Sequence, residues 1–82
     1  MKDYFIKYIE TVAKELETNI SEFYENINKK YELEYGVNIK LEAENNNMDM
    51  IDYCIHLGKG IDDSFLFRLV SMANKIKREA NI

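Results

Sequence analysis

The stretch YELEYGVNIKLEAENNNMDMIDYCIHL, from Tyr31 to Leu57, decides the fold, because its apolar residues fit a period of two. Tyr31, Leu33, Tyr35, Val37, Ile39 and Leu41 alternate with polar neighbours, as the side chains of a half-buried strand do. Gly36 sits where a left-handed residue would end a preceding helix, so the alternation predicts a strand over 37–44. Val37, Ile39, Leu41 and Ala43 would face a core, with Asn38, Lys40, Glu42 and Glu44 outward. Asn45-Asn46-Asn47 reads as a turn, since Asn tolerates left-handed backbone and hydrogen-bonds its own main chain. A second strand over 50–57 would set Ile51, Tyr53, Ile55 and Leu57 on one face and Met50, Asp52, Cys54 and His56 on the other. The pair reads as an antiparallel hairpin with one apolar and one mixed face.

Upstream, Phe5, Ile9, Val12, Leu16, Ile20, Phe23, Ile27 and Tyr31 recur in steps of three or four, which marks one buried helical stripe. The pattern repeats after eleven residues, with Ile9, Ile20 and Tyr31 in register. That period is close to the natural helical turn, so it favours a nearly straight core helix over a heptad coiled coil. The prediction is a helix over 3–34. Its weak point is 18–21, where Asn19 with Glu22 three residues on could form a capping box and start a new helix. Because the stripe keeps phase through Ile20, one helix with at most a kink there is expected.

Downstream, Gly58-Lys59-Gly60 turns the chain, and Ile61, Asp62 and Leu66 read as a hydrophobic staple around an Asp N-cap. A last helix over 62–80 would bury Phe65, Leu66, Leu69, Met72, Ala73, Ile76 and Ala80. The expected fold is therefore α+β, a single small domain ordered helix–strand–strand–helix, with both helices on one face of the hairpin. Its open face and unpaired edges predict association.

The chain has 82 residues, net charge −4, no proline and one cysteine. A domain this small is marginally stable by itself, and partners add stability. Charge is segregated: residues 1–63 hold seven Lys against fourteen Asp and Glu, and residues 64–82 hold four Lys and Arg against one Glu. The acidic balance opposes nonspecific binding to nucleic acid or to an anionic membrane. A single cysteine fits a reducing cytoplasm. No leader is evident after Met1, and no apolar run approaches the roughly 18 residues a membrane span needs. Nine Asn, ten Ile, nine Lys and six Tyr all use A/T-rich codons, pointing to a low-GC bacterium, phage or mobile element.

Candidate sites are few. Asp52, Cys54 and His56 share a strand face in this reading, but alternate side chains on a strand stand about 6.5–7 Å apart and do not converge as a triad must. One Cys and one His are too few for a zinc site. Gly58-Lys59-Gly60 lacks the spacing of a phosphate loop, and Asp62 and Asp63 would repel phosphate. No catalytic residue, cofactor or metal is expected. Phe67 lies opposite the apolar face of its helix, rimmed by Arg68, Lys75 and Arg78, in the only basic segment. Aromatic and Arg side chains dominate interface hot spots, so this group is one candidate partner surface. Glu15, Glu22 and Glu25 on the acidic back of the first helix are the other. Tyr4, Tyr8 and Tyr24 flank the stripe and are expected to be shared between the core edge and a partner.

The expected function is a non-enzymatic protein-binding module, a small acidic inhibitor or regulator that blocks a surface of a larger protein or protein–nucleic acid complex. Anti-CRISPR proteins exemplify that class, and the class alone, with no motif, motivates the comparison. A homodimer is a second expected assembly. The alternative is a small nucleic-acid-binding regulator using Arg68, Lys75, Lys77 and Arg78 on phosphates, which the charge of the remainder opposes.

Overall fold

A computed structural model describes residues 2–58 and 63–80. Five helices follow one another: α1 Lys2–Glu15, α2 Ile20–Tyr35, α3 Ile39–Asn45, α4 Met50–Gly58 and α5 Asp63–Ala80. No strand occurs among the described residues. The α+β expectation is wrong, and both predicted strands, 37–44 and 50–57, are the short helices α3 and α4.

The ambiguity has a physical origin. Ile39 and Ala43 are four apart, so they share a face on a helix as well as on a strand, and both are buried. Leu41 breaks the tie, since a strand would bury it beside them, whereas it is 53 % exposed. The local chemistry also favours helix. Asn38 is extended, and its side chain accepts the Leu41 N–H at 3.1 Å, so a helix starts where the strand was expected. The Asn run does turn the chain, but between helices. Asn47 adopts φ 57°, Asn46 Nδ2 donates to the Glu42 carbonyl at 2.8 Å, and the Met48 N–H reaches back to the Ala43 carbonyl. In α4 the Asp49 carboxylate accepts the Ile51 N–H at 2.9 Å, and Cys54 lies fully buried. The open sheet edges that motivated an expectation of association are therefore absent from the described residues.

The predicted continuous helix over 3–34 is also corrected. Glu17 takes φ 55°, and the Thr18 N–H bonds the Ala13 carbonyl, a left-handed stop that ends α1. Asn19 then caps α2 by accepting the Glu22 N–H at 2.8 Å. The apolar stripe keeps its phase across this break because both helices present it to the same core. Ile9, Val12, Phe23, Ile27 and Tyr31 are buried, with Leu16 and Ile20 half-buried at the corner. Gly36 ends α2 as expected, at φ 72° with its N–H on the Glu32 carbonyl.

The last helix matches its expected span within a residue and buries Phe65, Leu66, Leu69, Met72 and Ala73, while Ile76 is half-buried and Ala80, expected to be buried, is exposed at the helix end. It packs against α1, α2 and α4, while α3 touches only α2 and α4. Tyr8 Oη donates to Asn74 Oδ1 at 2.6 Å, tying α1 to one flank of α5. On the other flank Arg68 Nε donates to Tyr31 Oη at 2.6 Å, and its guanidinium sits 5.8–6.0 Å from the rings of Tyr31, Tyr35 and Phe65. The expected turn at Gly58-Lys59-Gly60, the Ile61–Asp62 staple and cap, and the side chain of Phe5 lie outside the described residues. No helix of the described residues is long and apolar enough to cross a membrane.

Candidate functional site

The basic face predicted around Phe67 is present but largely engaged within the fold. Phe67 is 62 % exposed and Arg78 is exposed. Arg68, by contrast, is held by Tyr31, and Lys75 Nζ lies 2.7 Å from Glu34 Oε2. Lys77 reaches Glu15 at 3.3 Å, and Lys30 pairs with Glu79 at 2.5 Å. Two of the four basic side chains of α5, Lys75 and Lys77, are thus matched by carboxylates of α2 and α1, and Lys30 of α2 is matched by Glu79 of α5. Exposed pairs of this kind contribute about 0.2–1 kcal/mol each to stability. Their larger consequence is for recognition, because they lower the potential a phosphate backbone would meet.

The same pairs remove Glu15 from the acidic surface and move the centre of unbalanced negative charge. Between Leu41 and Gly58 the chain carries Glu42, Glu44, Asp49 and Asp52 and no Lys or Arg. That segment is α3 beyond Lys40, the Asn turn and α4. Against it α2 contributes Glu25, whose carboxylate lies 3.6 Å from Lys40 Nζ. Glu22 is exposed in the first turn of α2.

A groove of about 430 Å³ opens where these elements meet. Ser21, Tyr24 and Glu25 line it from α2, and Lys40 and Glu44, one turn apart, from α3. Met48, Asp49, Met50 and Ile51 complete it from the turn into α4. The two methionines and Ile51 supply apolar surface, with Tyr24 buried in the wall, while Glu25, Glu44 and Asp49 set three carboxylates around it with a single lysine. Asp52, next to the groove residue Ile51, has its carboxyl pushed above the ordinary range by hydrogen bonding to Asp49 and by that residue's charge. Two neighbouring carboxylates that repel each other are a place where an incoming cation is favourable.

Cys54 shows why nucleophilic chemistry finds no footing in α4. On a helix Asp52 and His56 are four apart and exposed, whereas Cys54 points the other way, fully buried. Burial, with the Asp49 charge adding to it, pushes the thiol up to about 12. A thiol that stays protonated is a poor nucleophile. Among the described residues no three His, Cys, Asp or Glu side chains are grouped to hold a metal ion.

Of the predicted site residues, Glu25 lines the groove. Glu22 lies near its α2 end, and Phe67, Arg68, Lys75, Arg78 and Glu15 belong to the α5 side. Glu44, Met48, Asp49, Met50 and Ile51 were not named as a site, because the hairpin reading spread them over two strands and a turn, while Tyr24 was expected between core edge and partner. One signal was readable: eighteen residues from Leu41 with four acids and no Lys or Arg. No known family matches this chain, and no curated protein or solved structure does either.

Proposed function

We propose that this protein is a non-enzymatic protein-binding module whose α2–α3–α4 groove takes a basic, amphipathic segment of a larger protein. By occupying that segment it acts as an inhibitor or regulator. The observation that carries this reading is the pairing of a methionine-containing apolar lining with a rim of three carboxylates. Methionine is unbranched and adapts to differently shaped apolar side chains, a property of surfaces that accept amphipathic helices. The carboxylates favour Lys or Arg flanking such an anchor, and they add association rate and orientation more than raw affinity. A nucleic-acid partner is less favoured, because Arg68, Lys75 and Lys77 already have partners on α1 and α2.

The test uses a fluorescein-labelled Lys/Leu amphipathic helix of about 18 residues (five turns) and its Glu/Leu twin as probes. Fluorescence anisotropy should show binding of the Lys/Leu probe that weakens steadily from about 50 to about 300 mM salt. The Glu/Leu twin should not bind. A Glu25→Lys, Glu44→Lys double variant, folded by circular dichroism, should lose about tenfold in affinity, roughly 0.7 kcal/mol per reversed exposed charge. Equal binding of the two probes, or affinity unchanged in the double variant, would refute the groove as the site.

A further inference from the structure

Tyr24 forms part of the groove's wall and is 1 % exposed. Its hydroxyl is buried and has no hydrogen-bond partner, the one such side-chain atom among the described residues. The contrast with other tyrosines is direct, since Tyr8 donates to Asn74 and Tyr31 accepts from Arg68. Native folds pair nearly all buried polar atoms, so an unpaired one asks for an explanation. Phenylalanine would fill the same space without an unpaired oxygen. The fold of the free protein thus gains nothing from the hydroxyl that it would not have from a bare ring.

We propose that the Tyr24 hydroxyl is a recognition group, which donates a hydrogen bond to a main-chain carbonyl of the segment bound in the groove. This rests on the reading of the groove as a site for a basic amphipathic segment, and it adds the atom that reads the segment's backbone. A helical segment can supply the acceptor, because a carbonyl oxygen keeps a second lone pair when one is already bonded. Reaching the hydroxyl requires side chains along the groove to move. Two of them, Met48 and Met50, are flexible thioethers that repack at low cost. The hydroxyl then exchanges an unpaired state in the free protein for a paired one in the complex, so its contribution to affinity exceeds that of a hydroxyl exposed to water beforehand.

The conservative variant Tyr24→Phe separates the alternatives by sign. Removing an unpaired buried hydroxyl should raise the melting temperature of the free protein by about 4–8 °C. The same change should weaken binding of the Lys/Leu probe by about tenfold. Unchanged affinity would overturn the proposal whatever the melting temperature does, since the hydroxyl would then be idle. A lowered melting temperature would also overturn it, since the hydroxyl would then have a partner within the fold. Glu25→Lys, Glu44→Lys keeps the two readings apart. If that variant weakens binding and Tyr24→Phe does not, the groove stands and only the role of the hydroxyl falls. If the wild-type protein does not bind the probe, both fall.

Discussion

Asn28→Ala is the substitution on which the all-helical fold and the hairpin reading disagree in sign. Asn28 lies half-buried on α2, and its side chain holds the start of α3 in place. Its Oδ1 accepts the Ile39 N–H at 2.7 Å, and its Nδ2 donates to Asn38 Oδ1 at 3.1 Å, the same oxygen that caps α3 through Leu41. Alanine removes both bonds and leaves the Ile39 N–H, in a residue 1 % exposed, without that acceptor. A lost hydrogen bond costs about 1 kcal/mol, and a buried group left unpaired costs about 1–3 kcal/mol. Against this, alanine improves helix propensity by about 0.5–0.7 kcal/mol. The net is a destabilisation of about 2–3 kcal/mol. For a domain of this size that corresponds to a fall in melting temperature of about 10–20 °C. Thermal unfolding followed by circular dichroism measures the shift, and hydrogen exchange at the Ile39 amide localises it. In a helix–hairpin–helix fold Asn28 would stand on a helix with no such partners, and alanine would leave stability equal or slightly higher. A melting temperature unchanged or raised would refute the α2–α3 junction described above.

The break between α1 and α2 is tested by Asn19→Ala, which removes the cap on the Glu22 N–H and should cost about 1 kcal/mol, or about 4–8 °C in melting temperature. In an unbroken helix the same change would be stabilising. Cys54 predicts a pH dependence. Its thiol ionises near about 8.5 in the unfolded chain and is pushed up to about 12 in the fold, so its contribution to stability is complete below about pH 8.5 and is lost as pH rises toward 12. Tyr24, raised by burial, acts in the same direction but above its ordinary value of about 10. Melting temperatures should therefore fall between about pH 8.5 and 10, with a shallower slope in Cys54→Ala. Parallel slopes for the two proteins would contradict the burial of the thiol.

The candidate site was legible in composition but not in position. Net acidity and the clustering of base in the last helix were plain from the residues, and they directed attention to two charged faces. Which charges remain unbalanced was not, because Lys75–Glu34, Lys77–Glu15 and Lys30–Glu79 each join residues more than forty positions apart. Phe67 was rightly placed on the outer side of its helix, while Arg68 beside it turned inward onto Tyr31. One step around a helix separates exposure from engagement, and only the neighbouring helix decides it.

The sequence by itself determined the apolar stripe from Ile9 to Tyr31, the left-handed stop at Gly36 and the buried face of the last helix. Each is a local pattern long enough, or a backbone requirement strict enough, to admit one reading. It did not determine whether 37–57 is sheet or helix. In segments of seven to nine residues a buried pair four positions apart satisfies both periods, and short helices are not stable alone. Tertiary packing chose. Asn28 and Asn38 supply the hydrogen bonds that start α3; α3 packs on α2 and α4, and α4 packs in turn on α2 and α5, so that Ile39, Ala43 and Cys54 are all buried on helices. That choice brought Tyr24 and three carboxylates to the groove around Met48 and Met50.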